Sequence, residues 1–259
     1  MGIDEVGYGP RLGPLVVAAA CAYGPLKASV RIADSKKVFS QAKGVETLEP
    51  AVLGFVPAAT FDELLRRLGA RLPDAPWYKA PLRFPTVPRL QGLEGACARL
   101  VDTAEFNAAV RSRNKSELLF ETAADLINRI RAAYPPPVRF LVGKQGGRHY
   151  YLRGLQRLVS STVWVREEGP ERSVYEIPGA VIEFLEDAED RHELVALASM
   201  VGKYVREGAM RLFNDWWAGQ VEGLRRTAGY GLDAGRFVGD IEKARERLGI
   251  AAEAVVRSR

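Results

Sequence analysis

The chain has 259 residues, 47% of them hydrophobic and 27% charged, with 37 Lys+Arg against 32 Asp+Glu and a formal net charge of +5. That much apolar sequence supports one sizeable core and excludes a disordered chain, and the mildly basic balance suits a polyanionic partner. Two cysteines (Cys21, Cys97) and two histidines (His149, His192) lie scattered, which excludes a disulfide framework and a zinc cluster. No apolar run is long enough to span a bilayer, and the acidic start does not read as a signal peptide. A cytoplasmic protein is expected.

In chain order, a turn-rich acidic segment precedes the continuous apolar run Leu15–Tyr23, which predicts a strand buried on both faces. Asp34-Ser35 reads as a helix cap before Lys36-Lys37. Leu64, Leu65 and Leu68 predict a helix over 60–72, and the five prolines of 73–90 predict a loop. An amphipathic helix is expected over 116–133, ended by Pro135-Pro136-Pro137. A short buried strand follows over 138–142, stopped by Gly143 and a Gly146-Gly147 turn. Further strands are expected over 159–166 and 174–182, a long helix over 193–217, and a charged helix over 234–248. Alternating strands and helices indicate an α/β domain.

Three segments are candidates for chemistry. In Gly2-Ile3-Asp4-Glu5-Val6-Gly7-Tyr8-Gly9, two adjacent carboxylates at a strand end would be costly to bury without a cation. On a strand they point to opposite faces, so one is expected to reach the site from the turn. The following glycines let backbone approach a ligand closely. The segment is neither a dinucleotide fingerprint nor a Walker loop. In Ala33-Asp34-Ser35-Lys36-Lys37, a lysine pair behind a cap can hold a phosphate. In Ala198–Glu207, Ser199, Lys203 and Glu207 recur every four residues along one helix face. Charge is also segregated. Five Lys/Arg and no acid lie between Arg139 and Arg157, whereas acids dominate Glu167–Glu193, which reads as a solvated acidic face.

Taken in order, these segments resemble ribonuclease HII and its relatives, the type 2 branch of the RNase H-like superfamily. The first resembles that family's Gly-Ile-Asp-Glu-Ala-Gly-Arg-Gly start. The second matches its Asp-Ser-Lys-Lys motif, and the third resembles its Ala-Ser-Ile-x-Ala-Lys-Val-x-Arg-Asp helix. Ala228-Gly229-Tyr230-Gly231 resembles its C-terminal Lys-Gly-Tyr segment. The resemblance implies an α/β fold: an RNase H-like mixed five-stranded sheet flanked by helices, with a C-terminal helical extension. A catalytic domain over 1–217 would carry an insert around 44–105, and 218–259 would form the extension. It implies a monomeric endoribonuclease that cuts the RNA strand of RNA–DNA hybrids, or at a ribonucleotide in duplex DNA, using two Mg²⁺ or Mn²⁺ ions. Asp4, Glu5 and Glu207 would be catalytic metal ligands. Gly7 and Gly9 would read the ribose 2′-OH, with Tyr8 between them, and Tyr230 would pack on the sugar. Lys36, Lys37 and Lys203 would contact phosphates or support the site, and, apart from the resemblance, Arg148 with Arg153 and Arg157 has a spacing suited to a basic face that contacts a nucleic-acid backbone.

The sequence departs from the family pattern at Gly143, where an Asp is expected after the strand, and no acid between Arg139 and Arg157 replaces it. Tyr8 replaces an Arg and Glu207 an Asp. Two other readings stay open: the same fold with a degraded site that binds nucleic acid without turnover, and an α/β enzyme acting on a small phosphorylated substrate.

Overall fold

A computed structural model describes residues 1–258 other than 41, 147, 160 and 161. Its elements, in chain order, begin with strands β1 (Gly2–Val6) and β2 (Leu15–Cys21). Helices α1 (Ser35–Val38), α2 (Glu49–Phe55) and α3 (Phe61–Arg67) follow, then β3 (Gly95–Val101), α4 (Thr103–Val110) and α5 (Lys115–Ala133). Next come β4 (Val138–Gly143), α6 (Leu152–Leu158), β5 (Trp164–Glu168), β6 (Arg172–Ile177) and β7 (Ala180–Leu185). The chain closes with α7 (Ala188–Arg191), α8 (Glu193–Ala218), α9 (Gly231–Arg247) and α10 (Ala252–Val255).

The strands form one mixed sheet of seven in the order β3-β2-β1-β4-β7-β6-β5. β4 runs parallel to β1 and β7, and the other pairs are antiparallel. The sheet exceeds the expected five strands for two reasons. β3 lies inside the region read as an insert. The expected strand over 174–182 is really part of a hairpin, β6 and β7, turning at Pro178-Gly179. The expected strand over 159–166 is realised as β5; residues 160 and 161 lie outside the described residues, as does Gly147 of the expected Gly146-Gly147 turn.

Continuous apolarity in β2 has the predicted consequence. Leu15, Val17, Ala19 and Cys21 pack with α5 in one core, and Val16, Ala18 and Ala20 pack with α2, α3 and α8 in another. α5 is started by a capping box in which the Asn114 side chain accepts from Glu117 N and Glu117 reaches back to Asn114 N. A third cluster joins Leu12, Trp77, Met210, Phe213 and Trp217 to Phe237, Ile241 and Val255, so α9 and α10 pack on the end of α8. Among the described residues, no helix is long and apolar enough to cross a membrane.

Candidate active site

β1 and α8 cross the centre of the molecule side by side. An added Cβ on Gly2 would meet the backbone of Leu194 and Val195 at 2.3–2.4 Å, so only glycine lets the strand lie this close. Farther along, Val6 lies against Gly202 and Gly7 against Arg206. The strand carries Asp4 and Glu5 to a cleft of about 250 Å³ that both line, together with Lys36, Gly143, Lys144, His149, Glu186, Asp187 and Glu189. Both acids therefore reach the cleft from within β1, rather than one from the turn.

The electrostatics of this cleft are dominated by crowded acids. Burial, then the nearby Glu189, pushes the Asp4 carboxyl up to about 7, while a hydrogen bond from Ser199 opposes the shift. Burial and then Asp4 raise Glu5 well above the ordinary carboxylate range. Of the two lysines lining the cleft, Lys36 pairs with an acid, its Nζ 3.5 Å from Glu189 Oε1, whereas Lys144 Nζ donates to Gly169 O and Ser173 Oγ. Burial pulls the Lys36 pKa down, but Asp34, Glu189 and Asp4 outweigh it and raise it. Behind the acids, Ser199 Oγ lies 2.9 Å from Ser35 Oγ and 3.5 Å from Asp34 Oδ1, and Asp34 caps α1 by accepting from Lys36 N. The cap expected at Asp34 thus ties the lysine motif to the acids through α8.

Position 143 supplies no donor to the cleft. Register pairs Ile3 with Val142, which sets Asp4 beside Gly143, and a Cβ there would stand 3.1 Å from Asp4 Oδ1. The oxygen donors present suit a hard divalent cation such as Mg²⁺ or Mn²⁺. Among the described residues, however, no three acidic, His or Cys side chains are gathered into a ready-made cage.

The structure does not bring Glu207, expected as a ligand beside Asp4 and Glu5, to this cleft. Spacing by four runs Ser199, Lys203 and Glu207 along α8, so Glu207 sits about 12 Å beyond Ser199. Its carboxylate accepts from Lys203 Nζ at 2.6 Å and lines a separate cavity of about 670 Å³ with Phe39, Phe84 and Arg211. Lys203 is turned the same way, with its Nζ 4.0 Å over the Phe39 ring. The acid that does face Asp4 and Glu5 is Glu189, with Glu186 and Asp187 on the same wall. Their signal was the dense run Glu186-Asp187-Ala188-Glu189-Asp190, read as a solvated face.

The lysine pair is engaged with this wall. Besides the Lys36–Glu189 pair, Lys37 Nζ lies 2.6 Å from Asp190 Oδ1. Lys36 remains 81% exposed at its side chain, open to a phosphate. Beside the cleft lies the Gly7-Tyr8-Gly9 loop. Lys115 Nζ sits 4.9 Å over the Tyr8 ring, and Arg148 donates to Ser116 Oγ at 2.6 Å and packs over Phe120 and Tyr151. Tyr230 is 45% exposed, with the Arg206 guanidinium 5.3 Å from its ring. Gly229 O accepts from Arg11 N and Leu12 N, which brings the Tyr230 segment against the glycine loop. The structure therefore gathers Asp4 and Glu5 with Lys36 in the cleft, with Lys37 at its rim. It sets Gly7, Tyr8, Gly9, Arg148 and Tyr230 on the adjoining loop face, and leaves Lys203 and Glu207 apart.

Residues 1–58 match the family model described as Ribonuclease HII. No curated protein matches the chain in sequence. Among solved structures, the RNase HII of the PCNA:RNase HII complex from Archaeoglobus fulgidus matches with a TM-score of 0.56 and 19% identity, covering 100% of this chain and 93% of that one. The ribonuclease H2 from Pyrococcus horikoshii OT3 matches with a TM-score of 0.51 and 18% identity, covering 98% and 90%. Bst-RNase HIII in complex with Mn2+ matches with a TM-score of 0.48 and 21% identity, covering 99% and 65%. The first 58 residues are thus similar in sequence to the ribonuclease HII family, and the fold of the whole chain is similar to that of the RNase HII from Archaeoglobus fulgidus and the ribonuclease H2 from Pyrococcus horikoshii.

Proposed function

We propose that the protein is a metal-dependent endoribonuclease of RNase H type, cutting the RNA strand of an RNA–DNA hybrid or the backbone at a ribonucleotide in duplex DNA. The observation that carries this reading is that Asp4, Glu5 and Glu189 line one cleft, with the first two carboxyls held above their ordinary range by burial and then by the neighbouring acids. The glycine loop beside it, exposed at Gly9, is where a ribose would be read. Asp4, Glu5 and Glu189 would hold Mg²⁺ or Mn²⁺. Such an ion activates a water and stabilises the leaving 3′ oxygen.

The chain's own groups prepare that chemistry. Ser199 favours the ionised form of Asp4, and Lys36, released from Glu189, would be placed to hold a phosphate. Lys37 and Arg148 extend the positive rim, and Tyr230 offers a half-exposed ring to the sugar.

Gly143 favours a second reading, a nucleic-acid-binding module with little turnover. A missing carboxylate costs roughly 10²–10⁴-fold in rate if the other donors cannot compensate. Cleavage of a labelled DNA duplex carrying one ribonucleotide, beside a continuous hybrid, with Mn²⁺ or Mg²⁺, separates the two. Cutting that leaves 5′-phosphate ends supports the nuclease. Tight hybrid binding with no cutting, in the native chain and in Gly143→Asp alike, overturns it in favour of the module.

A further inference from the structure

The loop that leaves β1 is held from behind by the end of the chain. Arg257 Nη1 donates to Gly7 O at 2.6 Å and reaches Pro10 O at 3.5 Å. Arg257 N donates to Arg11 O at 2.9 Å, and Leu12 and Val256 form an isolated antiparallel bridge. Arg206 Nη2 holds Leu12 O at 3.1 Å from the α8 side. The tail is itself anchored. Asn107 Nδ2 donates to Glu253 O and Val256 O, both at 2.8 Å, and Asn107 Oδ1 accepts from Ser258 N at 2.6 Å. Thus the carbonyls of Gly7, Pro10, Arg11 and Leu12 are all occupied. The amides of Tyr8 and Gly9 have no protein acceptor among the described residues.

Arg257 is an expensive strut. It is only 3% exposed, its Nε and Nη2 have no hydrogen-bond partner, and Arg206 is a like charge nearby. The guanidinium is sheltered by the Phe106 ring, 4.8 Å away. A buried cation with unpaired donors costs several kcal/mol in general, so packing alone is a poor reason to keep it. Peptide geometry supplies a better one. In a trans peptide the C=O of one residue and the N–H of the next point in opposite directions. Holding Gly7 O inward therefore turns the Tyr8 N–H outward, and the φ of +86° at Gly7 makes that orientation available.

We infer that Arg257 is a positioning residue for substrate recognition: from the far end of the sequence it fixes the Gly7–Tyr8 peptide so that the Tyr8 amide faces the ribose of the bound strand. The part concerning the ribose rests on the function proposed above; the part concerning the peptide does not.

Both parts are tested on the full chain. Backbone amide signals and hydrogen exchange are recorded without ligand. Affinities are measured in Ca²⁺ for a DNA duplex with one ribonucleotide and for the all-DNA duplex. In Arg257→Met the Tyr8 amide should shift and exchange about tenfold faster, while β2 and β4 amides stay put. Preference for the ribonucleotide should fall about tenfold, with all-DNA affinity within twofold of the native value, and Arg257→Lys should restore part of that preference. Asn107→Ser, which loosens the tail without touching the loop, should act in the same direction and serves if Arg257→Met does not fold. An unchanged Tyr8 amide in the folded variants overturns the positioning role whatever the ligand. A shifted amide with an unchanged ribonucleotide preference overturns its part in recognition. A native chain with no ribonucleotide preference instead removes the single-ribonucleotide arm of the proposed function, and the amide measurement then decides the peptide's positioning alone.

Discussion

The acids within β1 and the loop that leaves the strand are built on opposite principles. At Asp4 and Glu5 the carboxylates are buried and crowded by Glu189, and Ser199 and Lys36 only partly offset this. Three residues on, the glycine loop has its carbonyls engaged by Arg257 and Arg206. One is electrostatically incomplete and the other is mechanically finished. The difference teaches where specificity and chemistry are separated. The loop is set before any ligand arrives, whereas the cleft waits for positive charge.

The largest effect should come from removing the acid at the centre of the incomplete cleft. Asp4→Asn should lower Mn²⁺-dependent cleavage by about 10³-fold or more, because a metal ligand carries several kcal/mol of transition-state stabilisation. Binding of an uncleaved duplex should change little. Retained cleavage in the purified variant would remove Asp4 from the chemistry and leave the cleft without a role.

Next in size is a paired substitution that separates the two glutamates. Glu189→Gln should cost about 10²-fold in cleavage, the scale of losing one of several ligands, and Glu207→Gln less than about threefold. Initial rates at saturating Mn²⁺ measure both. The reverse ranking would restore Glu207 to the ligand set and break the geometric argument built on α8. Gly143→Asp should act in the other direction, raising the Mn²⁺-dependent rate about tenfold by adding the missing donor. Without metal the same variant should melt lower than the native chain at pH 8. A third carboxylate would then begin 3.1 Å from Asp4 Oδ1. A Gly143→Asp variant that melts higher without metal would show that the cleft is not short of positive charge.

Much of this architecture is legible in local sequence. Apolar runs disclose β2 and β4, and Asn114 and Glu117 disclose the start of α5. Asp4-Glu5 and Asp34-Ser35-Lys36-Lys37 disclose one face of the cleft, because adjacent acids and a capped lysine pair are local patterns. The opposite face is not local. Glu189 sits on α7, the short helix after β7, and five residues of mostly acidic sequence look the same whether they face water or a metal. β3 escaped because Gly-Ala-Cys-Ala-Arg-Leu-Val lacks the β-branched density that marks a strand. Four-residue spacing correctly aligned Ser199, Lys203 and Glu207, but a common helix face does not mean a common site when the helix rises 1.5 Å per residue. Arg257 was the least legible, since its partner Gly7 lies 250 residues away in sequence.

The smallest effect is thermodynamic, and it tests the crowding itself. In the unfolded chain Asp4 titrates near 3.8, and in the native protein near 7. Between those values the native state binds more protons than the unfolded state, so stability must fall as pH rises across that window. Below about pH 4 both states are protonated and the crowding costs nothing. Above pH 7 the cost is fully expressed, and Glu5, shifted in the same direction, adds to it. A bound divalent cation removes that cost, but at low pH it must first displace protons. Mn²⁺ at a hundred times its Kd should therefore stabilise the protein by about 2.7 kcal/mol at pH 8 and by much less at pH 5. Thermal melts with and without Mn²⁺ at the two pH values measure it. Asp4→Asn should raise the metal-free Tm at pH 8 and flatten the pH dependence. Equal Mn²⁺ shifts at pH 5 and pH 8 would mean that the ion binds away from Asp4 and Glu5, and that the contrast between the acids of β1 and the loop that leaves it lies in packing rather than in charge.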